Sequence, residues 1–476
     1  MGNANLSSIF SFYKNKCNKN TKLWMNFVNE FDQQSFLHYF NLFYNFNNFN
    51  NFYKSKTNFY DIGYEFFKSN IDQLFIVRKF KTLKHIDSDW NFWFSDNTLK
   101  LLAFYGIGQQ YVKKTKKSEF HEHNNAIYKI DLSEWNKYEV REDFEKYGVI
   151  AYFDINLHPI GYFYNSTFIN KSERSFNHIG LIFRSTLMAS IVLKEFLILS
   201  NHIIKNTIYL AFHKHLKSTH FLNKIYKNLI NTNFDVSILL DHNSLFGRSF
   251  GFTENGWDNM IRDQTRSITY SSIFTQFNNS QLPSNFKEKM PYYKNGMKIY
   301  NILKHHFTNI INTNYPSNLD ILNDRQLVNF WKELLLNFGP FKDIGILNKK
   351  NLIEFITHSF FTILIESNLY GHINKYSLKT NSLIPKVLKE TTKYNHIVNA
   401  DVQTFIQSLC VVSLIQQITK QHSILNIITN ITNSLDEDND ELVINNLNLM
   451  KLEFEKEIEN TNNENKFNSI KYSLIH

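Results

Sequence analysis

NYPSNLDILNDRQLVNFWKEL, residues 314–334, carries the clearest structural signal in the chain. Leu327, Phe330, Trp331 and Leu334, with Phe338 beyond them, stand at i, i+3, i+4, i+7 and i+11. That spacing puts five large apolar side chains on one face of a helix. Asp320 or Asn323 precedes it as a candidate N-cap, because a short side-chain oxygen accepts a backbone N–H of the first turn. The segment therefore predicts an amphipathic helix with a polar start and a wide buried stripe.

Outward from this helix the same pattern dominates. From about residue 176 onward helical periodicity prevails, and residues 443–460 return to it after an acidic stretch, NSLDEDNDEL (433–442), that reads as a loop. Ile179 to Ile204 is the most apolar run, interrupted by Arg184, Lys194 and Glu195, and it predicts a buried helix rather than a membrane span. Residues 147–163, YGVIAYFDINLHPIGYF, are β-rich around a turn at Asn156–Pro159 and predict a short hairpin. Polar residues 113–126 read as a loop. Residues 36–53 form an Asn/Phe-rich tract whose first half favours helix. No internal repeat is visible.

Composition agrees. The 476 residues include 14 Gly and 6 Pro, about 4%, against roughly 12% in average proteins. Turn-dense all-β folds need more of both, so they are disfavoured. Hydrophobic residues at 43% and aromatics at 16% suit a large core. The formal charge of +9 is scattered, with one tight run at Lys113, Lys114, Lys116 and Lys117. This fits a solvated surface or attraction to an anionic membrane better than a nucleic-acid site. Cys17 and Cys410 make neither a disulfide framework nor a metal motif, which suits a reducing, cytoplasmic setting. The first 16 residues lack the apolar core of a signal peptide, and Leu6 breaks the myristoylation pattern that Gly2 begins.

Local chemical motifs are sparse. YGIGQQY (105–111) has two glycines of a nucleotide loop but not the third. GxSxG, HExxH and CxxC are absent. The close histidine groups are His121/His123, His213/His215/His220 and His305/His306. Residues two apart on a helix face different ways, so His213 and His215 are poor co-ligands.

The order of longer segments is more telling. From about residue 90 to the end the sequence resembles the catalytic domain of lipoxygenases. YFDINLHPIGYF (152–163) is similar to the family's strand ending in a Leu-x-Pro turn. LKEFLILSNH (193–202) resembles its Glu-Pro-Phe stretch, with Glu195 in the Glu place. In NTIYLAFHKHLKSTHFLN (206–223), Ile208, Tyr209, His215 and Asn223 match the family's His-Pro-Ile-Tyr and Pro-His elements and the Ile-Asn that ends them. LPSNFKEKMPYYKNGMKIYNIL (282–303) follows in order. Within 314–334, Tyr315, Ser317, Asp324, Leu327, Trp331 and Glu333 keep the family pattern. LIEFITHSFFTILIESNLYGH (352–372) falls where the family has its second metal-binding helix, and KLEFEKEIENTNNENKFNSIKYSL (451–474) is similar to its terminal helix.

The resemblance implies a mostly α domain over residues 91–476, with a short β hairpin region and an apolar tunnel for a fatty-acyl chain. It leaves residues 1–90 as a helical extension carrying the Asn/Phe tract, in place of the family's N-terminal β-barrel lipid-binding domain. It also implies non-haem iron, or manganese, and dioxygenation of polyunsaturated fatty acids. The implied ligand positions, however, fall on Leu181 and Thr186 on the central helix and on Ser367 and Gly371 on the second helix. The chain stops at Ile475–His476, short of the family's terminal Ile carboxylate. Leu and Gly cannot ligate, and hydroxyls bind iron poorly in place of imidazoles. The leading expectation is a metal-site-degraded pseudoenzyme without a metal, retaining a lipid-binding or regulatory role at a membrane-peripheral or cytoplasmic location. An active dioxygenase with a rebuilt site would draw on His178, His202, His358 and His372. A third expectation is a structural or interaction protein whose tunnel has filled.

Overall fold

The computed structural model describes residues 103–104, 107–116, 126–142, 144–230, 240–242, 247, 250–270, 291–337, 341–366, 387, 389 and 424–462. The Asn/Phe tract, the helical extension expected over 1–90, and Ser367, Gly371 and His372 lie outside them.

The expected hairpin forms and is part of a larger sheet. Strands β1 (Val112–Lys114), β2 (Tyr128–Asp131), β3 (Ile150–Phe153), β4 (Pro159–Tyr164) and β5 (Thr167–Asn170) make an antiparallel meander in chain order. The β3–β4 turn is organised by Asp154, whose Oδ1 accepts the N–H groups of Asn156 and His158, each at 2.8 Å. Asn165 and Ser166 both have positive φ in the two-residue β4–β5 link, the backbone hand that matches strand twist. Lys113 and Lys114, read as loop from their polarity, belong to strand β1. A three-residue edge strand with two exposed lysines shows too little alternation to be seen in sequence.

The sheet rests on a 40-residue helical rod, Phe176–His215. It comprises α1 (Phe176–Ala189), a π segment (Ser190–Lys205) and α2 (Asn206–His215). Tyr162 of β4 packs on Phe176 at 4.8 Å between ring centroids and on Phe183 at 6.0 Å. The rod is long and apolar enough to cross a membrane, yet 89% of its most apolar window is buried in the protein, as a core helix would be.

Around the rod stand α3 (Phe221–Ile230), α4 (Glu254–Ser267), α5 (Pro291–Asn314), α6 (Asn318–Asn323), α7 (Arg325–Asn337), α8 (Lys349–Phe360) running into a second π segment (Phe361–Glu366), α9 (Ile424–Ser434) and α10 (Glu437–Asn462). In α7 the stripe of Leu327, Phe330, Trp331 and Leu334 is buried as the periodicity requires. Its cap is neither expected residue. Asp324 Oδ1 accepts the N–H groups of Gln326 and Leu327 at 3.0 Å, while Asp320 closes a capping box with Ser317 at the start of α6. The acidic stretch read as a loop is largely the first turns of α10, where Glu437, Asp438 and Asp440 face the positive end of the helix dipole.

Candidate functional site

Two of the central helices depart from α geometry, and they do so where they meet. The rod and α8 each carry a π segment, and the two segments pack against one another. A π turn closes i→i+5, is rare, and is frequently found at functional sites.

Thr186 is fully buried on α1 and its hydroxyl is already engaged. It donates to the Ile182 carbonyl at 2.8 Å and accepts the Gly148 N–H at 3.2 Å. Gly148 has φ of +103°, and a side chain there would collide with Asn136, so this contact fixes a backbone that only glycine adopts easily. Leu181 is buried among apolar neighbours as part of the core. Both positions serve the interior.

Among the described histidines, His178 and His202 do not converge. His178 Nε2 lies 3.0 Å from Glu145 Oε1, and Tyr164 reaches the other oxygen of that carboxylate at 3.4 Å. His202, half-buried, sits 24 residues further along the same rod, which places it on the order of 30 Å from His178. Two ligands of one metal must lie within a few Å of each other, so these two do not share an ion. His358 on α8 is held between two tyrosines. Its Nδ1 meets Tyr270 Oη at 3.0 Å and its Nε2 meets Tyr300 Oη at 2.8 Å. Burial, aided by the positive charge of Lys304, pushes its pKa down to about 3. The imidazole is neutral and both nitrogens have hydroxyl partners. Among the described residues no group of three or more His, Cys, Asp or Glu is arranged to hold a metal ion. Neither Leu181 nor Thr186 fits iron or manganese, and the described histidines offer no alternative set.

The residues that carry the family resemblance are instead tied to one another as scaffold. His215 Nε2 of α2 meets Glu333 Oε2 of α7 at 2.9 Å, and Lys214 joins the same carboxylate. Tyr315 donates to Asp324 Oδ2 at 2.6 Å, and His220 meets that oxygen at 3.0 Å. Burial by itself would raise Asp324; the hydrogen bonds from His220, Tyr315 and the Leu327 N–H outweigh it and hold the carboxyl well below its ordinary value. Trp331 Nε1 donates to the Gly345 carbonyl at 3.0 Å, and Asn223 Nδ2 donates to the Leu216 carbonyl at 2.7 Å. Glu195 accepts from Tyr111 Oη at 2.7 Å, and burial raises its pKa.

The sequence reading missed a polar strip inside the π segment. Ser200, Asn201 and Lys205 are 0%, 2% and 4% exposed. Lys205 Nζ donates to Asn201 Oδ1 at 2.8 Å, and Asn201 Nδ2 donates to the Phe196 carbonyl at 2.7 Å. The available signal was a lysine directly after the apolar run, at a position that continues the buried face.

No family model and no curated protein matches this sequence. Solved structures do. Similar chains include the fungal lipoxygenase of Fusarium graminearum, with TM-score 0.62 at 12% identity over 78% of this chain and 71% of that one. A LOX deletion variant gives TM-score 0.67 at 12% identity, covering 87% of this chain and 73% of that one. A manganese lipoxygenase gives 0.62 at 11% identity, covering 79% and 76%. Identities this low speak for architecture alone, and on that ground this chain has a lipoxygenase-like fold.

Proposed function

We propose that this protein is a non-catalytic lipoxygenase-fold protein that binds a long-chain acyl lipid in an apolar interior. The carrying observation is a division of labour among the matched residues. His215–Glu333 and Tyr315–Asp324 keep their partners as interhelical and interloop ties. Leu181 and Thr186, at the implied ligand positions, are absorbed into packing and into the bond to Gly148. The fold is retained by contacts that need no metal. The scattered net charge of +9 favours pick-up of lipid from an anionic membrane surface, and the two lone cysteines suit the cytoplasm.

The test is elemental analysis for iron and manganese on the purified protein, oxygen uptake with linoleate, and thermal melting with and without oleate. The expected result is substoichiometric metal, no oxygen uptake above the rate without protein, and a melting temperature that climbs with oleate concentration. A ligand that binds only the native state must stabilise it, by about 2.7 kcal/mol at a hundredfold excess over Kd. Stoichiometric iron or manganese together with oxygen uptake would establish the dioxygenase instead. No melting shift would remove the lipid-binding reading and leave a structural protein.

A further inference from the structure

Helix α10 carries apolar side chains on two faces. Val443, Leu447, Met450 and Phe454 are at most 2% exposed and form the inner face, where α10 meets α5 and α9. Leu442, Leu449 and Leu452 are 57%, 54% and 51% exposed. They stand at i, i+7 and i+10, so at about 100° per residue they fall within about 80° of one another, on a single outer stripe. Glu441 and Glu453 border the stripe on its two sides, and Asn445 lies within it. Single exposed leucines are ordinary on a protein surface, but three aligned on one helix face make a docking stripe.

Charge decides what can lie on that stripe. The helix holds eight Asp or Glu and two Lys, a charge of −6 in a chain of +9. A second copy of α10 would set Glu441 and Glu453 against their own counterparts, and like charges brought together oppose association. An anionic membrane surface would repel the helix for the same reason. A helix with an apolar stripe and basic borders satisfies both the leucines and the glutamates, since charges beside an apolar seam select the partner helix.

The chain supplies a segment of that chemistry among residues 1–102, which lie outside the described residues. FIVRKFKTLKHI (75–86) contains Arg78, Lys79, Lys81 and Lys84, with neither Asp nor Glu. Ile76, Leu83 and Ile86 repeat the i, i+7, i+10 spacing of the α10 leucines, and Phe80 falls on the same face. On a helical projection Lys79 and Lys84 border that face, as Glu441 and Glu453 border theirs. The chain from residue 86 to residue 103 can span up to about 56 Å at ~3.3 Å per residue. That exceeds the length of α10, about 39 Å at ~1.5 Å per residue. A tethered segment also meets its site at an effective concentration of order mM, so a modest apolar contact suffices.

We propose that residues 76–86 dock as an amphipathic helix on the outer face of α10 within the same chain, their apolar stripe on Leu442, Leu449 and Leu452 and their lysines beside Glu441 and Glu453. This is independent of the lipid-binding reading above.

The test compares the full-length wild type with Leu449→Glu and with Phe80→Asp, one substitution on each side of the contact. Hydrogen exchange and zero-length carbodiimide cross-linking, each read by mass spectrometry, are measured on all three. Wild type should exchange the amides of 76–86 at least tenfold more slowly than either variant. It should also give cross-links from Lys79 or Lys84 to Glu441 or Glu453 in the monomer band, and both variants should lose them. Amides of α7 should exchange alike in all three, which shows the fold intact; if Leu449→Glu disturbs them, Phe80→Asp, which leaves α10 unaltered, carries the comparison. Cross-links confined to a dimer band would give the stripe to a second copy and overturn docking within the chain. Protection of 76–86 that arises only with phosphatidylglycerol vesicles would make the segment a membrane anchor and overturn it as well. Exchange unchanged by both substitutions, with no cross-link between the two segments, would also refute it.

Discussion

Acidification should destabilise this protein through His358, by an amount that can be worked out. In the unfolded chain the imidazole titrates at 6.5; in the folded state burial and the charge of Lys304 lower it to about 3. Between those values the unfolded chain holds a proton that the native state does not. Stability is therefore unaffected by this group above 6.5 and falls as pH drops from 6.5 toward 3. At pH 4.5 the loss is about 2 to 3 kcal/mol, taking about 1.36 kcal/mol per pH unit over two units. Among the described residues, the groups facing the ring include Tyr270, Tyr300 and Lys304, and Glu354 acts on both tyrosines. Burial raises both tyrosines above their ordinary value, so neither ionises in this range. The assay is urea unfolding at pH 7 and pH 4.5 for wild type and His358→Gln, with metal content measured in both. Gln offers a donor and an acceptor to the two hydroxyls but takes up no proton. The background acid loss from carboxylates is common to both proteins, so wild type should lose about 2 to 3 kcal/mol more than the variant. Equal losses would show that the imidazole is not held neutral between the tyrosines. Metal that disappears with the imidazole would make His358 a ligand and overturn its structural role.

Thr186→Val should cost about 1–3 kcal/mol in denaturant unfolding, because it strands the buried Gly148 N–H while preserving shape; lipid binding should not change. Asp324→Ala should cost about 3 kcal/mol, since it removes the cap of α7 and leaves His220 and Tyr315 without their shared acceptor. That loss should shrink in wild type at pH values well below the ordinary carboxylate range, where Asp324 itself becomes protonated, and a melting series from pH 7 to pH 2 reads it. Lys205→Met should stabilise ligand-free protein at neutral pH by up to about 5 kcal/mol, the free energy of lowering a lysine from 10.5 to about 7. Wild type should narrow the gap as pH rises from 7 toward 10.5, because its unfolded chain loses the proton that its native state has already given up.

Several features were legible in the chain because they depend on neighbours within a few residues. The stripe Leu327, Phe330, Trp331 and Leu334 has one physical solution, a helix with a buried face, and α7 adopts it. The alternation and the Asn156–Pro159 turn set the β3–β4 hairpin in the same way. The ordered motifs from Glu195 to Trp331 pointed to a lipoxygenase-like architecture, which the solved structures share. The cap of α7 was misplaced by one and four residues because Asp320, Asn323 and Asp324 are chemically equivalent caps in sequence. Only the three-dimensional positions of Ser317 and Tyr315 assign Asp320 to α6 and Asp324 to α7.

What tertiary structure alone decided lies at the centre of the molecule. The sequence determined that residues 179–204 would be a buried helix, since so apolar a run has nowhere else to go. It did not determine that the rod would be π-wound over Ser190–Lys205, where it packs against the second π segment. Nor did it determine the partners of its polar residues. Thr186 meets Gly148 across 38 positions, and His358 meets Tyr300 across 58 and Tyr270 across 88. Among the described residues Lys205 finds only Asn201, four positions away. Charge and hydrogen-bonding capacity are written in the residue; whether burial satisfies them depends on what the rest of the fold brings within about 3 Å.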